Sequence, residues 1–132
     1  MKLTANFSKS EFECSDGSEM PLEVFNNVIE LAENLEVIRA HFNAPVTINS
    51  AYRSPVHNRK IGGKPNSQHL GGKAADIVIS GVTPSDVADA IEFLIECGLM
   101  KEGGVGRYDT FTHYDIRGTK ARWDYTTESS QS

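Results

Sequence analysis

The sequence predicts an α+β domain in which helices pack against a small, mostly antiparallel sheet. Three observations carry this. Apolar residues recur at helical spacing through PLEVFNNVIELAENLEVIRAHFN, residues 21–43. Short β-branched runs stand at VTINSAYR, residues 46–53, and AADIVIS, residues 74–80. Two further strand-like runs, GGVGRY and FTHYDIR, are joined around Asp109 and Thr110. The order helix, strand, loop, strand, helix, hairpin fits an α+β architecture.

Each element has a local cause. In the first helix Val28, Leu31, Leu35, Ile38 and Phe42 form the buried stripe, Pro21 suits the first helical position, and Asn43 with Pro45 ends it. The 46–53 run alternates as a strand does, and VHNRKI, residues 56–61, reads as a short helix. The 74–80 run is short and apolar enough for a buried strand. TPSDVADAIEFLIECG opens a second long helix, with Thr83 as N-cap, Pro84 in the first turn, Asp86 completing a capping box and Gly98 as the stop. The tail from Thr126 is polar and is expected to fray.

Length and composition narrow the function. With 132 residues, 39% of them hydrophobic, the chain supports one core and not two. No apolar run approaches the roughly 20 residues of a membrane span, and MKLTANFSKSEFECSDG lacks the apolar stretch of a secretion signal. A net charge of −5 argues against a nucleic-acid binder. Cys14 and Cys97 are too few for a disulfide scaffold and read as reduced thiols. Charge is uneven, however. Residues 1–50 hold eight acidic and three basic side chains, whereas Arg53, Arg59, Lys60, Lys64 and Lys73 all precede Asp76, the first carboxylate of the second part. Such a local cation excess suits either an anionic ligand or a solvated loop.

Four histidines could do chemistry. His41 lies near a helix C-terminus, where a cation complements the dipole, and His57 has no obvious partner. His69 lies in NSQHLGGKAADIVI, where the paired glycines Gly71 and Gly72 disfavour a continuous helix and place it in a turn. Asp76 falls at the start of the following buried strand, where a carboxylate needs a partner or a metal. A turn histidine folded back on that aspartate makes a two-ligand start for a zinc site; the alternative is an Asp76 paired with Arg53 or Lys73. His113 and Asp115, two apart in a strand, share one face. Asp109 sits at the hairpin tip, where turn chemistry is its simplest role. Neither cysteine neighbours a histidine, and GGVG lacks the lysine and helix of a phosphate loop.

AYRSPVHNRKIGGKPNSQHLGGKAADI, followed by GGVGRYDTFTHYDIRG, resembles the zinc D-alanyl-D-alanine carboxypeptidase family over about residues 7–125. These are small peptidoglycan-cleaving metallopeptidases that include phage endolysins, and their zinc arrangement is shared by hedgehog signalling domains. The resemblance implies one zinc domain over residues 1–132, with residues 126–132 a flexible tail. It implies His69 and Asp76 as the first two zinc ligands, one zinc per chain, Arg53 binding the substrate's terminal carboxylate and Ser67 holding its backbone. The late strand departs from the His-x-His of many relatives. Either His113 binds zinc and Asp115 is the general base or orients it, or Asp115 is the third ligand and His113 supports the transition state. The first is preferred, since imidazole is a common neutral zinc ligand. Asp115, and after it Asp109, are the candidate general bases.

The implied activity is hydrolysis of peptide bonds in peptidoglycan stems or cross-links, by a monomer with no nucleic-acid or membrane partner. A lone domain without an export signal fits a phage or prophage lysin, made in the cytoplasm and acting at the wall. The rival reading is a non-catalytic zinc domain that binds a partner or a wall fragment. A dipeptidase of the vancomycin-resistance type is disfavoured, because Thr110 stands where those relatives place a glutamate.

Overall fold

A computed structural model of the chain describes residues 1–127. Three helices, α1 (Leu22–Phe42), α2 (Pro55–Lys60) and α3 (Pro84–Glu96), accompany five strands. The strands are β1 (Val46–Ser50), β2 (Ala74–Ile79), β3 (Gly104–Arg107), β4 (Thr112–Asp115) and β5 (Ala121–Asp124). They form one sheet in the order β1-β2-β4-β3-β5, antiparallel except where β5 runs parallel to β3. The expected α+β class and mostly antiparallel sheet are both present.

The apolar stripe of α1 supplies Val28, Leu31, Leu35 and Ile38, all fully buried, against Ile77 and Ile79 of β2 and Val87 and Ile91 of α3 in one core. Pro21 stands one position earlier than expected, as the N-cap, and Asn43 closes the helix in the left-handed conformation at φ 49°. Thr83 caps α3 by accepting the Asp86 N–H at 3.2 Å. No helix among the described residues is long and apolar enough to cross a membrane.

Two elements differ from expectation. β1 ends at Ser50 instead of Arg53, because its register with β2 shifts between Ile48 and Ser50. The chain beyond it bonds elsewhere: Tyr52 N–H donates to Phe12 O at 3.1 Å and Arg53 N–H to His69 O at 3.0 Å. The fifth strand is an addition, four residues too short to carry a periodic pattern. It adds to the edge as a parallel neighbour of β3. The expected tail at 126–132 falls, from residue 128 on, outside the described residues.

The turn that precedes β2 is a short 3-10 helix, Gln68–Gly71, capped by Ser67, whose hydroxyl accepts the His69 N–H at 3.2 Å. It is pressed against α1. Gly72 takes φ +71°, and a Cβ there would overlap the side chains of Val24 and Val28. Asn27 of α1 donates to Gly71 O at 2.9 Å. A long helix therefore fixes the position of the turn that carries His69.

Candidate metal centre

Strand register brings the first pair of side chains together. In the β2–β4 ladder Asp76 stands directly opposite His113, on two central strands. Residues so placed have Cβ atoms about 4.5–5.5 Å apart, so their side chains meet on one face. His69 comes over the same face from the turn before β2. Its Nε2 lies 3.4 Å from Asp76 Oδ1, and His113 Nδ1 lies 3.1 Å from the same oxygen. One donor atom from each of the three residues lies within 4.8 Å of the other two. All three residues are buried.

The two imidazoles are each held from behind. His69 Nδ1 donates to Ala51 O at 2.7 Å, which leaves Nε2 facing Asp76. His113 Nε2 donates to Asp115 Oδ2 at 2.7 Å, which leaves Nδ1 facing Asp76. A metal-ligating histidine characteristically gives its second N–H to a carbonyl or a carboxylate, which fixes both tautomer and ring orientation. Two neutral imidazoles and one carboxylate are a donor set suited to zinc, and three protein ligands leave a coordination position for substrate or solvent. The residues present fit the metal that the motif implies.

Electrostatics agree. Burial alone would raise the Asp76 carboxyl, but the His113 and His69 imidazoles beside it outweigh burial and hold the group well below the usual carboxylate range. Asp115 has no exposed surface, and it too stays well below that range, because His113, Arg117 and the Gly104 N–H overcome the cost of burial. Burial would lower His113, yet Asp115 and Asp76 reverse the direction and raise it. Arg53 places Nη2 3.5 Å from Asp76 Oδ2, balancing the carboxylate from its other oxygen.

The acid candidates fall in different places. Asp115 accepts from Gly104 N, Arg117 N and Arg117 Nε on Oδ1, and from His113 Nε2 and Arg117 Nη2 on Oδ2. The His113 ring lies between it and the donor cluster, which is the geometry of a residue that orients a ligand. Asp109 is exposed at the hairpin tip, bonded to Thr127 N at 3.1 Å. It opens onto a neighbouring depression with Thr83 and Asp124, apart from the histidines.

The three donors lie in a cleft of about 550 Å³. Arg53, Lys64, Ser67, Arg117 and Arg122 contribute to its walls, and Asp76 is the single carboxylate among the described lining residues. Lys60 and Lys73, grouped with Lys64 by the sequence, do not line it. Four aromatic residues also line it, Tyr108, Phe111, Trp123 and Tyr125, with the Arg117 guanidinium 5.5 Å from the centre of the Trp123 ring. Trp123 reaches the cleft because β3 offers Gly106 beside it, where any Cβ would overlap the indole. Its ring centroid lies 4.9 Å from that of His113, and its Nε1 donates to Tyr108 OH at 2.9 Å.

Sequence reasoning did not find Arg117, Arg122 or the aromatic wall. Arg117 continues the alternation His113-x-Asp115-x-Arg117, a pattern that could have been read. Arg122 and Trp123 depend on β5, for which no adequate pattern exists in four residues. The glycines Gly103 and Gly104, unremarkable in sequence, leave the room that Asp115 fills, since a Cβ on either would strike it.

A family model described as Peptidase M15 matches residues 5–115, which include His69, Asp76, His113 and Asp115. No curated protein matches the chain.

Proposed function

The chain belongs to the peptidase M15 family of zinc-dependent metallopeptidases, and from that premise we propose that it hydrolyses peptide bonds in the stems or cross-links of bacterial peptidoglycan. The proposed specificity is of the D-alanyl-D-alanine carboxypeptidase or endopeptidase type, and the proposed setting is a phage or prophage lysin. The observation that carries this reading is the convergence of His69 Nε2, Asp76 Oδ1 and His113 Nδ1 at the floor of a cation-lined cleft.

In this reading those three atoms hold one zinc ion per chain. The chemistry such an ion supplies is Lewis acidity toward a peptide carbonyl and toward the attacking water. The remaining roles belong to the chain. Ala51 O and Asp115 each accept the N–H of one imidazole, which fixes the ring and the nitrogen it presents to Asp76. Arg117 and the Gly104 N–H keep Asp115 ionised, so that it accepts a hydrogen bond from His113 Nε2–H and carries no proton of its own. Arg53, anchored by Ser50 Oγ at 3.3 Å and Asn58 Oδ1 at 3.4 Å, offers a planar fork for the substrate's terminal carboxylate. Ser67 lines the cleft beside His69 for contact with the substrate backbone. Arg117 and Arg122, paired with Asp115 and with Glu92 and Glu102, line the cleft beside Trp123, and the aromatic residues there give the substrate an apolar surface to lie against.

Mass spectrometry of fragments from a defined peptidoglycan digest is the direct test. Fragments shortened at a stem or cross-link peptide bond are expected from the zinc-loaded protein, and none from chelated protein. His69→Ala and Asp76→Ala are each expected to lose both the metal and the products. Undiminished hydrolysis by either variant would refute the assignment. A zinc-loaded protein that binds wall fragments without cutting them would favour the non-catalytic reading.

A further inference from the structure

We propose that the chain carries a second metal site, independent of the first, formed by Cys14, Asp16 and His57 and suited to a borderline divalent ion such as Zn²⁺ or Co²⁺. One donor atom from each of the three lies within 4.8 Å of the other two. They come from two segments far apart in sequence: the loop that follows a short 3-10 helix at Lys9–Phe12, and α2. Ser54 joins them. Its hydroxyl donates to Asp16 Oδ2 at 2.7 Å and accepts the His57 N–H at 3.1 Å, while its own N–H donates to Cys14 Sγ at 3.4 Å. On the outer side Ser15 Oγ lies 3.1 Å from His57 Nε2.

The donor chemistry selects the ion. Thiolate, imidazole and carboxylate together suit a borderline metal and exclude calcium and magnesium, which take oxygen ligands. Cys14 is buried at 5% exposure, Asp16 is exposed and His57 is half-buried. The site therefore has a sulfur floor and an open rim from which solvent supplies a fourth ligand. Binding exchanges the Cys14 S–H bond for a sulfur–metal bond, with the proton leaving to water. The ion would tie residues 14–16 to α2, immediately beyond Arg53, the residue that flanks Asp76 in the first site. Its structural effect would be to fix the loop on which Arg53 is mounted.

Sulfur makes the two sites separable. The cluster of His69, Asp76 and His113 contains no thiol, so only the second site can give thiolate-to-cobalt charge-transfer absorption in the near ultraviolet. The test is a Co²⁺ titration of the full chain carrying Cys97→Ser, which removes the exposed thiol. Two equivalents are expected to bind, one of them with that absorption. Cys14→Ser is expected to lose the band and one equivalent, and His69→Ala to lose the other equivalent and keep the band. Should Cys14→Ser fail to fold, His57→Gln and Asp16→Asn decide, each expected to weaken the band-forming site at least tenfold. A single equivalent without the band, or a band unaffected by His57→Gln, would overturn the proposal. Neither result would bear on the first site.

Discussion

Asp115→Asn is expected to weaken zinc binding far more than it slows turnover at saturating zinc. The carboxylate accepts five hydrogen bonds, three on Oδ1 at 2.8, 3.1 and 2.9 Å and two on Oδ2 at 2.7 and 2.8 Å. Asparagine has the same size but offers one oxygen and one amide NH₂. Whichever way the amide turns, its NH₂ faces at least two donors at a position with no exposed surface. If it faces His113, the Nε2 proton loses its acceptor and nothing holds Nδ1 toward Asp76. Loss of such a supporting partner characteristically costs about 10–100-fold in metal affinity, or about 1.4–2.7 kcal/mol. Some stability goes too, moderated because the Arg117 side chain is 29% exposed and can turn to solvent. The assay is competition against a chromophoric zinc chelator, paired with hydrolysis rates at saturating zinc and circular dichroism to confirm the fold. A general base would behave in the opposite way, with zinc affinity unchanged and kcat down about 10²–10⁴-fold. That result would refute the orienting role and return Asp115 to the chemistry.

Three further outcomes are expected. Arg53→Lys should raise KM at least about tenfold for peptides ending in a free carboxylate and leave amidated peptides little changed, because an ammonium cannot reproduce the fork; equal effects on both would refute the carboxylate role. Gly106→Ala should push the Trp123 indole off β3 and cost about 1–3 kcal/mol, read as a lowered denaturant midpoint together with altered Trp fluorescence. Glu92→Gln should lower Tm through the loss of bonds from Arg107 Nη2 at 2.7 Å and Arg122 Nε at 3.0 Å, which tie α3 to β3 and β5. Burial favours a higher Glu92 pKa, but the two arginines prevail and depress it below its ordinary 4.5. The native pKa lies below the unfolded one, so this contribution is full above about pH 4.5 and fades as pH falls through the native value. With the Glu92 side chain 36% exposed, it should amount to no more than about 1 kcal/mol at pH 7; a Tm difference that grows on acidification would contradict it.

The two long helices and the four longer strand patterns were legible because each is a local periodicity with local stop signals. Thr83, Pro84 and Gly98 act within a few residues of themselves, and so do Asn43 and Gly72. The pairing of His69 with Asp76 was legible for a related reason: a tight turn leads straight into a buried strand, and a charge there has few tolerable explanations. β5 escaped notice because four residues, three half-buried and one exposed, hold no pattern, and the strand is held by bonds from its Arg122 to Glu92 and Glu102, far off in sequence.

What the sequence by itself determined is the class of the fold, the turn-plus-strand pair of candidate ligands and the family to which they belong, all written in contiguous segments. Only the tertiary structure decided which nitrogen of each imidazole faces Asp76, that Asp115 stands behind His113 and Asp109 apart from it, and that Arg117, Arg122 and Trp123 wall the cleft. Register is the physical reason. The β2–β4 ladder sets His113 against Asp76 across 37 residues of chain, and no local pattern encodes which residue a strand will meet on its neighbour.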